Sequence, residues 1–294
     1  MHGPARTRSV GGVPPPVVKA ALEEHPSFAP LFSGSVVPAS FTFAFEHVEP
    51  INAAFRRMVR GNEFDVSEMA ITTYLVAKEH GKPFTALPVF PVRMAPHPAI
   101  VKNVNAGINS PLDLNGRRVG VRAYTVTTGV WARYVLADAG VDLGSITWVV
   151  VDEEHVREYQ LPPSVESHPK GSLVDMLRAG EIDAAIGIGK VDFAEIAPLF
   201  ADPAAAGREF IARTGIFPIN HTVVVKDELL RARPELAHEL VDVFQAAHEK
   251  AGNGIDSSSI GLEANQRTIE TLMTFAQQQG LISRAYALDA IFAL

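Results

Sequence analysis

Three observations predict an α/β protein of two lobes with a ligand cleft between them. Apolar, strand-like runs alternate with helical patterns along the chain. The strand–helix sets fall into two groups, roughly residues 17–98 and 105–187, followed by a late strand and further helices. The 294 residues suit a length prior of about two domains of roughly 150 residues each. The expected division is a flexible tail over 1–16, one lobe over 17–98 plus 219–294, and a second lobe over 99–218. The chain then crosses between lobes twice, and ligands belong outside the carboxyl ends of the strands.

Each element has its own signal. Val17 to Leu22 and Phe41 to Phe45 read as the first strands. Ile51 to Arg60 has helical spacing and stops at Gly61. Phe64 to Val66 reads as a short strand, and Ser67 as the cap of a helix running to about His80. Leu87 to Phe90 and Ile100 to Val104 are the next strands. Ser110-Pro111-Leu112-Asp113 has the capping residue, proline and acid that open a short helix. Arg118 to Arg122 is a strand, followed by a Thr-rich loop and a helix from about Thr128 to Ala139. Ile146 to Val151 is a strand, and the polar stretch 152–171 reads as a long loop. Ser172 caps a helix ending at Gly180, and Ile182 to Ile186 and Thr222 to Lys226 complete the strands. Residues 227–249 and 262–279 are helical, joined by a Gly/Ser-rich piece over 252–259.

Composition narrows the function classes. Hydrophobic residues at 47% and charged residues at 20% suit a globular chain, not a disordered one. There is no cysteine, which excludes a disulfide framework, a thiol nucleophile and thiolate metal or iron–sulfur sites. The net charge of −7 argues against nucleic acid or an anionic membrane as a partner. No run reaches the roughly 18–20 apolar residues of a membrane span. The first residues lack the apolar core of a signal peptide, so a cytoplasmic protein is expected.

The strongest local candidate is Arg122-Ala123-Tyr124-Thr125-Val126-Thr127-Thr128-Gly129-Val130-Trp131. Here a strand ends and a helix begins, a geometry that favours anions. Arg122 offers a fork for a carboxylate, Thr127 and Thr128 offer hydroxyls, and Tyr124 and Trp131 offer ring faces. The competing reading makes the threonines caps and Trp131 core. Ser67 and Glu68 are either a cap and its first-turn acid or cleft contacts. Asp152-Glu153-Glu154-His155 ends another strand. It suits proton transfer or a solvated loop, and its spacing matches no specific metal motif. His25, Arg93, His97 and His221 lie next to strand ends, where cleft residues belong. Gly187-Ile188-Gly189-Lys190 has no Walker spacing, and no Gly-x-Ser-x-Gly elbow is present.

Several segments together resemble the 4,5-dihydroxyphthalate decarboxylase family. They include Glu63-Phe64-Asp65-Val66-Ser67-Glu68-Met69-Ala70, Pro83-Phe84-Thr85-Ala86-Leu87-Pro88-Val89-Phe90 and Val119-Gly120-Val121-Arg122-Ala123-Tyr124. Thr127-Thr128-Gly129-Val130-Trp131, Asp152-Glu153-Glu154-His155-Val156, Thr214-Gly215-Ile216-Phe217-Pro218-Ile219 and Gly261-Leu262-Glu263-Ala264-Asn265 match as well. The resemblance runs in order over residues 17–294. It departs from the family pattern at His25-Pro26-Ser27-Phe28, at a short route from Gly189 to Pro198, and at a short joint after Ala251.

The resemblance implies a type II periplasmic-binding-protein-like fold. It also implies decarboxylation of 4,5-dihydroxyphthalate to protocatechuate without an organic cofactor; no residue is assigned to a metal, and the part of a divalent metal is left open. Such a reaction protonates the ring carbon that carries the carboxylate and then releases CO2, so it needs a general acid, a base near a ring hydroxyl and anchors for two carboxylates. Arg122, Thr127 and Thr128 are the expected anchors. Glu154, His155 and His221 are the acid/base candidates, and Tyr124 or Trp131 the ring contact. Ser67, Glu68, His25 and Arg93 are further expected contacts. The expected partner is a small aromatic dicarboxylate, with a homo-oligomer left open. The alternative is a binding protein or sensor for a small carboxylate on the same scaffold.

Overall fold

The computed structural model describes residues 15–252, 256 and 259–293. Almost all of the expected N-terminal tail, and most of the Gly/Ser joint, lie outside the described residues.

The chain order is β1 (Val17–Ala21), α1 (Ala29–Phe32), β2 (Thr42–Phe45), α2 (Asn52–Gly61), β3 (Val66–Ala70), α3 (Ile71–Glu79) and β4 (Phe84–Leu87). It continues with β5 (Ile100–Asn103), β6 (Arg118–Val121), α4 (Thr127–Asp138), β7 (Thr147–Val150), β8 (Val165–Ser167), α5 (Leu173–Ala179), β9 (Ala184–Ile186), β10 (Ile196–Pro198) and α6 (Pro203–Thr214). Last come β11 (His221–Lys226), α7 (Asp227–Ala232), α8 (Leu236–Ala251), α9 (Gln266–Gln278) and α10 (Leu288–Ile291). One sheet has the order β2-β1-β3-β11-β4 and the other β10-β5-β9-β6-β7-β8. Among the described residues no helix is long and apolar enough to cross a membrane.

β11 reaches the first sheet only after the whole second sheet has been built, and it inserts antiparallel between β3 and β4. Two chain crossings follow from that insertion. The last helices divide between the sheets. α8 packs on α1, whereas α9 lies on α4, with the Phe275 ring edge-on to Tyr134 at 5.2 Å. The expectation that the whole final part rests on the first lobe therefore has α9 as its exception.

The stretch around Ser67 differs from the sequence reading. The strand runs from Val66 to Ala70, every one of its residues is buried, and α3 starts only at Ile71. Ser67 is not a helix cap; its hydroxyl donates to Glu68 O at 2.8 Å. The reason is long-range: β3 is a central strand, and its backbone is taken up by β1 on one side and β11 on the other. Pairing of that kind outweighs a local capping preference. Strand β8 falls inside the stretch read as a long loop, and the sequence reading also lacked β10 and α6.

α2 carries residues that matter for the site, so its ending matters too. Asn62, not Gly61, takes the left-handed conformation that closes the helix (φ 48°), and its N–H donates to Met58 O at 2.8 Å. Asn is among the few residues with a Cβ that tolerate that region. Replacing Asn62 by Val is expected to lower stability by about 1–2 kcal/mol, while Asn62→Gly leaves it level. Urea denaturation of the two variants checks the difference.

Candidate active site

Glu68 is the centre of the site. The register explains how it meets a histidine from the far end of the chain. His221 pairs with Ala70 across the β3–β11 ladder, and Glu68 is two residues back on the same face, a diagonal neighbour. His221 Nδ1 lies 2.6 Å from Glu68 Oε1. From the loop after β1, His25 Nε2 lies 3.0 Å from both carboxylate oxygens. The Glu23 N–H donates to Oε2 at 3.1 Å. The Glu68 side chain is fully buried. Burial alone would push its carboxyl up; the hydrogen bonds from His221 and His25 outweigh that and bring it down to about 2. For His25, burial works downward, and the hydrogen bond and charge of Glu68 overcome it, raising its value above the ordinary 6.5. One buried carboxylate thus holds two imidazoles. Glu23, His25 and Glu68 also offer ligand atoms within 4.8 Å of one another, a donor set suited to a divalent cation.

A cleft of about 550 Å³ is lined by Asn52, Ala53, Arg56, Arg60, Arg122, Asp152 and His155 among others; Glu68 and its histidines do not line it. It joins the two sheets, since α2 packs on β3 while Arg122 and Asp152 follow β6 and β7. Asp152 Oδ2 accepts from Arg122 Nη1 at 2.8 Å and from Arg56 Nη2 at 3.2 Å. Arg60 donates to the carbonyls of Glu154 at 2.8 Å and His155 at 3.2 Å. Arg57 is taken by Glu46 and Glu63. The Phe55 ring connects cleft and centre, edge-on to His221 at 5.1 Å and to His155 at 6.2 Å.

His155 is buried, with Nδ1 at 3.4 Å from Thr73 Oγ1. Burial first, then the charges of Arg122 and Arg56, push it down to about 3, so the ring is neutral near pH 7. Glu154 is committed to the backbone: it accepts from the Tyr124 N–H at 2.5 Å and the Thr125 N–H at 3.2 Å, and from the Thr125 hydroxyl. Burial raises its carboxyl above the ordinary value. It fastens the loop after β7 to the loop after β6.

The remaining expected residues are placed apart. Trp131 is fully buried and donates Nε1–H to Ile219 O at 2.8 Å, so it is a core residue and not a ring contact. Tyr124 is buried and stacks on the Arg133 guanidinium at 4.1 Å, away from the cleft. Thr127 Oγ1 lies 2.7 Å from Thr72 Oγ1 and accepts the Thr72 N–H at 3.2 Å, so the starts of α3 and α4 satisfy each other. Thr128 is half-buried beside Gly187. Ser67 is enclosed within β3. Arg93 pairs with Asp256 at 2.7 Å and, with His25, lines a separate pocket of about 230 Å³. Sequence reasoning missed Arg56 and Arg60, although their spacing of four on one helix was a visible sign of a shared face.

This arrangement defines a two-lobed α/β scaffold of the type II periplasmic-binding-protein-like kind. The Escherichia coli periplasmic aliphatic sulphonate binding protein SsuA aligns over 95% of this chain and 98% of its own, with a TM-score of 0.58 at 11% identity. The desulfurization enzyme DSZB aligns over 95% and 96%, with a TM-score of 0.54 at 13% identity. No family model matches the chain. A 4,5-dihydroxyphthalate decarboxylase of Comamonas testosteroni is 33% identical over 246 residues, 79% of this chain and 74% of that protein. One from Pseudomonas putida is 33% identical over 177 residues, 57% and 68% of the two chains. The chain belongs to the 4,5-dihydroxyphthalate decarboxylase family.

The buried histidine makes a stability prediction. His155 binds its proton near the ordinary 6.5 when unfolded and only near 3 when folded, so the unfolded state gains protons as pH falls and stability drops below about 6.5. The Glu68 contribution is lost lower, between its ordinary 4.5 and about 2. Thermal melts of His155→Gln should therefore lose less stability than the parent chain between pH 6.5 and 4.5. Parallel losses would contradict the assignment.

Proposed function

We propose that the protein decarboxylates 4,5-dihydroxyphthalate to protocatechuate and CO2. The observation that carries this reading is a cleft lined by Arg122, Arg56, Arg60 and His155, joined through the Phe55 ring to a histidine–carboxylate–histidine unit. In an overall acidic chain, a dianion needs such placed cations.

In this mechanism Arg122 and Arg56 hold one carboxylate as charge-assisted, forked contacts. Neutral His155 accepts a hydrogen bond from the ring hydroxyl para to the leaving carboxylate, steering electron density into the ring without taking the proton. The histidine unit donates a proton to the ring carbon that carries the leaving group. The C–C bond then breaks, CO2 departs, and the bond's electron pair restores the aromatic ring. The proton gained by the ring is the one the imidazolium gives up. Glu68 stays ionised throughout, orients both imidazoles and makes His25 more readily protonated. Lobe closure around the cleft excludes water and strengthens these contacts.

Incubating the purified protein with 4,5-dihydroxyphthalate and following CO2 and protocatechuate tests the reaction. Absence of product, with a ligand-induced rise in Tm, would favour a carboxylate-binding protein instead. Arg122→Ala is expected to raise KM about tenfold or more. Glu68→Gln is expected to lower kcat by about 100-fold, since it withdraws the support of the general acid.

A further inference from the structure

Asp152 occupies an unusual place. A single oxygen of its carboxylate accepts one guanidinium from each side of the cleft, Arg122 from the loop after β6 and Arg56 from α2. The other oxygen accepts the Glu153 N–H at 2.9 Å. Its side chain is 35% exposed and lines the cleft, so it is not enclosed as a structural ion pair would be. The remaining charged groups near it are Arg60, which is turned to the Glu154 and His155 carbonyls and to Glu153, and the neutral ring of His155.

We propose that Asp152 is an internal carboxylate that occupies the anion site in the ligand-free protein and is displaced by the substrate, setting an affinity threshold that a dicarboxylate passes and a monocarboxylate does not. This rests on the proposed decarboxylase reading. When a ligand carboxylate replaces Asp152 on Arg122 and Arg56, one carboxylate is exchanged for another on the same two cations. A monoanion gains little from that exchange. A 1,2-dicarboxylate brings a second carboxylate that has no counterpart in the empty site, and this contact decides the competition. Asp152 thus rejects a single-carboxylate product as well as accepting a dianionic substrate.

The test is calorimetric binding of two unreactive probes, phthalate and benzoate, to the intact protein and to Asp152→Asn. The variant keeps the shape and removes the competing charge. Binding of both probes should tighten by a similar factor, about tenfold, so that benzoate, held out of the parent protein, binds measurably to the variant. Asp152→Ala should behave the same way if Asp152→Asn is poorly folded by its melting curve. If instead Asp152 only holds the arginines in position, both variants bind phthalate more weakly, and the proposal is overturned. If the parent chain releases CO2 from 4,5-dihydroxyphthalate while the variants bind the probes no tighter, the displacement idea alone fails. If neither turnover nor phthalate binding occurs in any form, the decarboxylase reading fails and takes this proposal with it.

Discussion

A fully buried glutamate shared by two histidines is the interaction on which the rest of this structure depends. Moving a carboxylate out of water is costly unless it is paired and hydrogen-bonded. Glu68 meets that requirement through His25, His221 and the Glu23 N–H. Those partners come from the end of β1 and the start of β11, on either side of β3. The charge therefore ties together strands from the first and last thirds of the chain, and β11 can supply His221 only by returning from the second sheet. The crossing that makes two interleaved lobes is the same crossing that completes the site.

The electrostatics divide the work. At the centre, a depressed carboxylate keeps His25 more readily protonated than usual. In the cleft, arginine charges and burial keep His155 neutral. His25 and His155 are thus pushed in opposite directions, while the Phe55 ring touches His155 on one side and His221 on the other. Around them, Glu154 fixes the loop after β7 to the loop after β6, and the helix starts of α3 and α4 meet through Thr72 and Thr127.

Much of this was legible in the sequence where the signal was local. The strand ends near His25, Arg122, Asp152 and His221 could be read from apolar runs, and most helices from their caps and glycine stops. The strand–helix boundary at Ser67 and Glu68 was misread because a serine followed by an acid looks like a helix start, whereas the fate of that segment was decided by β1 and β11, distant in sequence. Trp131 could not be assigned to core or cleft without knowing which face of α4 meets Ile219. Arg56 and Arg60 sat on an expected helix, but their role depends on the loop after β7 closing over them. Helix α6 had legible ends, Asp202-Pro203 and Gly215, which carried too little weight beside its weakly apolar interior.

The central claim is that Glu68 makes His25 more readily protonated than a free imidazole. Nitrogen-15 NMR of the imidazole rings, recorded across pH 5 to 9 in the parent chain and in Glu68→Gln, measures this directly. The account predicts that His25 titrates above its ordinary value in the parent and falls back to or below it in the variant. An identical His25 titration in both proteins would contradict it.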